Sequence, residues 1–384
     1  VSSAADGATL LARIGGTARP AGSAAEAGAR AVCAAWLRDA GFVVDDRPFS
    51  YSAFPGTWGT PIAGLALLVA AASAGAGIIR GGALLDAGMT VGVVLVVATS
   101  VMGWWLGLYG TRHLPFLRRD GVNLEARRGV PDVWLMAHLD SKSQPVSLLI
   151  RASAAVGVLA SWICLILAWT ASRVLPIPGG LLLGLATCGA VASVPLLVSW
   201  VGTGGSGALD NASGVATILA AASVVDLAIP VGVVVTSAEE LGLAGARAWA
   251  QSKPVGVVIN CDGVDDCGAL TITATGAGHH LLQSLREAGV LRFDARIRRA
   301  LPGVLMDSAA LADEGWAACT VSRGTRFSLA RVHTAHDTLD RLSGAGVGSV
   351  AGVIASLVGA IVAARSGSKD RREVSEANGT TTTE

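Results

Sequence analysis

The sequence predicts an α/β domain with a largely parallel or mixed sheet, interrupted by two hairpins of membrane-length helices. Three observations carry this prediction. Outside residues 61–109 and 148–201, short apolar runs with strand character alternate with helix-patterned segments. Four other segments approach the roughly 20 apolar residues needed to cross a bilayer. Of 384 residues, 52% are apolar and 15% charged, whereas soluble domains carry about a quarter charged residues.

The strand candidates are GFVVDDRPFSYS, GVNLEAR, VWLMAH, VGVVVTS, VGVVINC, ALTITATG and AACTVS. Helices are expected after Ala24, over Ser213–Asp226, Leu241–Gln251 and Leu281–Ala288, and late in the chain from Gly346. In such a layered domain, sites gather at the carboxyl ends of strands.

The apolar segments are Pro61–Ile79, Gly88–Leu108, Leu148–Trp169 and Gly180–Val201. Their connectors, RGGALLDA and ASRVLPIPG, suit turns between antiparallel helices. Trp104, Trp105, Trp169 and Trp200 lie at segment ends, where indoles favour the interface. The competing reading is a set of Ala- and Gly-rich helices buried in a large soluble protein. A fifth run, Gly344–Ala364, places Val347, Val350, Ile354, Leu357, Ile361 and Val362 on one helical stripe, the pattern of a helix packed on a sheet, with a fifth membrane span as the alternative. The expected division is therefore peptide-chain pieces 1–60, 110–147 and 202–365 forming one domain, hairpins at 61–109 and 148–201, and a polar, disordered tail at 366–384.

A formal net charge of +1 gives no basic surface for nucleic acid, and no nucleic-acid motif is present. Six scattered cysteines without a Cys-x-x-Cys pair read as small buried hydrophobes, not a disulfide framework. The first residues, VSSAADGATLLARIGG, lack the pattern of a cleavable signal peptide.

The chemistry-bearing residues fall at strand ends. His138 and Asp140 follow VWLMA, and Asp210 precedes a helix in GALDNASGVATILAAA. Glu239 and Glu240 follow VGVVVTS where the strand has ended, so both acids can serve one site; as a dull alternative, they only complement a helix dipole. Asp262 follows VGVVIN, with Asp265 and Asp266 read as solvent-facing loop acids, and VHTAHDTLDRL supplies His333, His336 and Asp337. Several buried carboxylates converging without a cation resist ionisation, which a divalent metal resolves. Carboxylate and imidazole donors without thiolates suit zinc, with manganese or cobalt as substitutes.

In order, AHLDS, GALDNASG, SAEELGLAG, INCDG and VHTAHDT resemble the five motifs of the zinc-dependent exopeptidases that include bacterial leucyl aminopeptidases, glutamate carboxypeptidase II and glutaminyl cyclase, peptidase family twenty-eight of the metallopeptidases. GGTARPAGSAAEAGARAV resembles that family's opening helix. The resemblance implies a three-layer α/β/α domain with two zinc ions. Asp210 would bridge them, His138 and Asp262 would complete one, and Glu240 and His333 the other. It makes Glu239 the general base acting on a metal-bridged water, Asp140 the carboxylate orienting His138, and Asp337 a supporting residue, with no role for His336.

The expected function is a membrane-anchored aminopeptidase acting on peptides, with glutaminyl-cyclase-like aminoacyl transfer and a non-catalytic scaffold or receptor of the same fold as alternatives. Two hairpins return the chain to one side, so the pieces can assemble one domain. Arg112, Arg118, Arg119 and Lys142 on that side, against Arg80 and Arg173 in the opposite connectors, favour a multi-pass cell-membrane protein with a cytoplasmic catalytic domain. The sequence does not set the oligomeric state.

Overall fold

The computed structural model describes residues 4–379 except 292 and 302–304, with side chains described over 7–365 outside those gaps. The chain begins with α1 (Ala4–Gly15), α2 (Ala24–Asp39) and β1 (Val43–Ser52), then enters the first hairpin, α3 (Phe54–Arg80) and α4 (Gly82–Trp105). A π-helical turn over Leu106–Gly110 leads through α5 (Thr111–His113) to β2 (Arg118–Arg128) and β3 (Val133–His138). The second hairpin is α6 (Leu148–Ala171) and α7 (Gly179–Leu197). The remainder is α8 (Ser213–Val224), β4 (Val231–Thr236), α9 (Ala244–Gln251), β5 (Val257–Val264), β6 (Ala269–Ala274), α10 (Gly276–Glu287), β7 (Arg296–Arg299), α11 (Asp307–Asp313), β8 (Ala317–Gly324), α12 (Arg326–Arg331) and α13 (Ala345–Gly379).

Among the described residues, eight strands form one mixed sheet in the order β1-β2-β4-β3-β5-β8-β6-β7. Its centre, β4-β3-β5-β8, is parallel, while β1, β2 and β6 join antiparallel. Strand alternation sends each face into a separate core. Val133, Leu135 and Ala137 of β3 pack with residues of α1, α2, α8 and α13, whereas Trp134 and Met136 join α9 and α11 on the other face. There Trp249 lies between Trp134 and Trp316, with ring centroids 4.9 and 5.0 Å away. This is the expected three-layer arrangement.

The two hairpins form a second body of four helices with its own core, including Leu67, Ala70, Met89, Val158, Trp162, Leu165 and Ala186. Gly64 is needed for the close approach of α3 to α7, since a Cβ there would meet the Leu197 backbone nitrogen at 2.2 Å. Helix α3 begins seven residues before the expected apolar segment because Pro55 suits a first helical turn. Among the described residues, five helices are long and apolar enough to cross a membrane: α3, α4 running on to His113, α6, α7 and Ala345–Arg365 of α13. The last buries Val347, Val350, Ile354, Leu357 and Ile361 in the sheet core, as its stripe predicts. Its backbone continues helically through Gly379, into the stretch expected to be disordered; residues 380–384 lie outside the described residues.

Two expectations are corrected. All six cysteines are free, but only Cys33, Cys261 and Cys319 are buried; Cys164, Cys188 and Cys267 are exposed. Asp265 is buried, accepting from Ser328 Oγ and Arg331 at 2.6 Å each. Asp266 accepts backbone N–H groups of Ser343 and Gly346, fixing the entry to α13. Neither is a free loop acid, because the loop after β5 turns back beneath α12 and α13.

Candidate active site and metal centre

Strands β3, β4 and β5 are parallel neighbours, so their carboxyl ends deliver His138, the Glu239–Glu240 turn and Asp262 to one edge. Asp210 arrives from the irregular turn before α8, and His333 from the loop after α12. Ala238 and His333 adopt φ of 58° and 59°, uncommon for residues with a Cβ. Such strained backbone concentrates at functional sites.

Asp210 joins two groups of donors. Its Oδ1 lies 3.1 Å from His138 Nε2, and its Oδ2 lies 2.8 Å from His333 Nε2. Asp262 Oδ1 and Glu239 Oε2 stand 3.8 and 4.0 Å from His138 Nε2, while Glu240 Oε2 stands 3.1 Å from His333 Nε2. Potential ligand atoms of His138, Glu239 and Asp262 lie within 4.8 Å of one another, as do those of Asp210, Glu240 and His333. All seven residues expected at the site are therefore together, counting Asp140 beneath them, and His336 is exposed apart from them.

The supporting contacts are specific. His138 Nδ1–H donates to the Asp140 backbone oxygen at 3.1 Å, which leaves Nε2 facing the acids; the Asp140 Oδ1 is farther, at 3.7 Å. The Asp140 carboxylate instead accepts the backbone N–H groups of Glu239 and Glu240 at 3.0 and 3.1 Å, holding the turn that carries both acids. Asp337 does the same for the other loop, accepting from Leu209 and Asp210 at 2.7 and 3.0 Å. Burial raises the Asp337 pKa to about 6.

The electrostatics favour a cation. Burial opposes ionisation of Asp210 and Glu240, yet His333, with His138 for Asp210 and Lys142 for Glu240, outweighs it: Asp210 falls well below the ordinary carboxylate range and Glu240 to about 2. Glu239 goes the other way. Burial, reinforced by Glu240, Asp307 and Asp262 and opposed by His138, holds its pKa well above normal. Burial likewise raises that of Asp262. Such a set has oxygen and imidazole donors, an unpartnered Glu240 Oε1, and carboxylates that ionise only with compensation. It fits one or two divalent ions of the zinc type.

Sequence reasoning placed several residues around this set outside the site. Arg19, fully buried, donates to the carbonyls of Leu139, Ser206 and Gly207 at 2.8–2.9 Å, tying the His138 and Asp210 loops together. Asp307 is buried behind the site; its Oδ2 accepts from Thr236 Oγ1 at 2.6 Å, and burial lifts its pKa to about 7. Lys142 Nζ lies 2.7 Å from Glu240 Oε2. Arg151, from the first turn of α6, donates to His333 Nδ1 at 2.7 Å. In that arrangement the His333 Nε2–H points at Asp210, and a metal taking this nitrogen replaces the proton. The only sequence signals were a cationic residue beside a motif and one charge at the head of an apolar segment.

Comparison with known proteins agrees with the motif reading. Residues 186–358, a little under half the chain, match the model of peptidase family M28. This span holds Asp210, Glu239, Glu240, Asp262 and His333, and leaves His138 and Asp140 before it. No curated protein sequence matches the chain. Among solved structures, an aminopeptidase from Aneurinibacillus sp. strain AM-1 superposes with a TM-score of 0.52 at 14% identity, covering 94% of this chain and 93% of that one. A zinc aminopeptidase from Bacillus subtilis gives 0.52 at 11% identity, covering 93% and 95%. A glutaminyl cyclase from Fimbriiglobus ruber gives 0.49 at 14% identity, covering 94% and 95%. Residues 186–358 therefore resemble peptidase family M28, and the chain shares its fold with the two aminopeptidase structures.

Proposed function

We propose that this chain is a zinc-dependent exopeptidase, specifically a membrane-anchored aminopeptidase that removes N-terminal residues from peptides. The observation that carries the reading is Asp210, whose two carboxylate oxygens face the two histidines of separate donor groups. His138, Asp210 and Asp262 would hold one zinc ion, and Asp210, Glu240 and His333 a second. Zinc there supplies Lewis acidity toward water and toward the scissile carbonyl. Glu239 takes a proton from the attacking water and delivers it to the leaving amine. Asp140 positions Glu239 through the backbone, and Asp337 positions Asp210.

The four hairpin helices would anchor the domain in a cell membrane as a multi-pass protein. Arg112, Arg118 and Arg119 on the domain side support a cytoplasmic domain. Lys142 is engaged with Glu240, so it weighs less in this count.

The test is hydrolysis of aminoacyl anilides by detergent-purified protein, with metal content measured beside activity. Activity should vanish with chelator, return with zinc, and fall on the order of 10³-fold in Glu239→Gln with metal retained. Chelator-resistant turnover overturns the mechanism; a metal-free, inactive protein restores the scaffold reading. Cyclisation of N-terminal glutaminyl peptides without anilide hydrolysis would select the cyclase alternative.

A further inference from the structure

Helix α12 lies between the membrane-length helices and the metal donors, and its two faces differ. Thr325 and Ser328 close a capping box at its start. Ser328 is buried, and both it and Arg331 bond to Asp265, which pins the inner face to the domain. The outer face presents Arg326, Phe327, Leu329 and Ala330, with Phe327 68% and Leu329 50% exposed. A benzyl and an isobutyl group held out from a helix that is fixed on its other side cannot turn inward. In water they forgo the burial that apolar surface gains elsewhere.

The surroundings say what covers them. Helix α12 packs on α6, and His333, two residues past its end, meets Arg151 in the first turn of α6. That turn also exposes Leu149 and Ile150, so outward apolar surface continues from the head of α6 to α12. The Arg326 guanidinium sits 5.0 Å from the Phe327 ring centroid. A cation beside an aromatic ring, at the edge of an apolar strip, matches the headgroup region of a bilayer, where aromatic rings bury and arginine meets phosphate.

We infer that α12 is a lipid-contact element: Phe327 and Leu329 enter the boundary between headgroups and acyl chains, with Arg326 at the lipid phosphates. This rests on the membrane-anchor reading above. It puts the end of a lipid-contact element two residues before His333.

Nitroxide accessibility in anionic lipid nanodiscs tests it on the full chain. After Cys164→Ala, Cys188→Ala and Cys267→Ala, labels are attached singly at Phe327→Cys, Leu329→Cys, Leu159→Cys on α6, and Leu227→Cys in the exposed loop before β4. The labels at 327 and 329 should favour oxygen over a soluble nickel chelate, reading between a lipid-immersed 159 and a water-exposed 227. A reading at 327 and 329 equal to that at 227, with 159 in lipid, overturns this proposal and leaves the anchor standing. Shielding of 327 and 329 from both reagents overturns it in favour of a protein partner or a second copy. An aqueous reading at 159 removes the anchor and this proposal together.

Discussion

Helices α4 and α13 have similar peak mean hydropathy, 2.0 and 2.2, yet 6% of that stretch is buried in α4 and 39% in α13. Along α4, Val91, Val94, Val97 and Val101 point outward. Along α13, Val347, Val350, Ile354, Leu357 and Ile361 face the sheet, while Gly352 and Gly359 have open space where a side chain would stand. Total hydropathy reports only that a helix avoids water. Its distribution around the helix reports whether protein takes water's place, and α4 buries only Met89 and Gly92 against its neighbours, leaving most of its apolar surface uncovered among the described residues.

The comparison breaks most readily with a charge. Ile354→Asp puts an unpaired carboxylate into the sheet core and should cost roughly 4 kcal/mol, unfolding the domain in a thermal melt. Val94→Asp should leave that melt unchanged and instead cost about 2.5–3.5 kcal/mol of insertion into microsomal membranes. If insertion is equally insensitive, α4 faces water and the contrast fails.

A smaller effect sharpens the domain side, where carboxylates are buried. Glu26 is 1% exposed, with Oε1 unpartnered, and burial, then the charge of Asp140, raises its pKa from 4.5 to about 7. Because the folded value lies above the unfolded one, stability is full below pH 4.5 and is lost as pH rises through 7. Glu26→Gln removes that loss. Relative to the parent, the variant should gain on the order of 2 kcal/mol between pH 5 and 8 in paired denaturation curves. Equal pH slopes would show that Glu26 is solvated. The smallest effect is at the seam between the regions, where Arg112 at the exit of the first hairpin pairs with Glu314. Glu314→Gln should cost no more than about 1 kcal/mol, and a larger loss in the same assay would mean that the two bodies unfold as one.

The sequence made His138, Glu239, Glu240 and Asp262 legible because each follows a strand whose apolar run is plain, while Asp210 and His333, which lie in loops, rest on the motif order. Strand β7, RIRR, was missed because a short edge strand with cationic side chains carries no apolar alternation. Helices α11 and α12 were missed because six or seven residues are too few for a helical stripe. The roles of Arg19, Asp307, Lys142 and Arg151 depend on approaches between segments up to 188 residues apart in sequence, as in the bond from Arg19 to Gly207. Composition near each residue holds no record of such a partner.

The strand order also constrains how the molecule is made. Strands β2 and β3 emerge between the two hairpins, yet both border β4, which follows them. During synthesis, β1 and β2 can pair as a ribbon once the first hairpin has emerged, but β3 has no neighbour until the second hairpin is complete. Asp210, whose two carboxylate oxygens face His138 and His333, also comes after that hairpin. The candidate site therefore assembles late, after the ribosome has delivered all four apolar helices, and a chain stalled between the hairpins would hold His138 without Asp210.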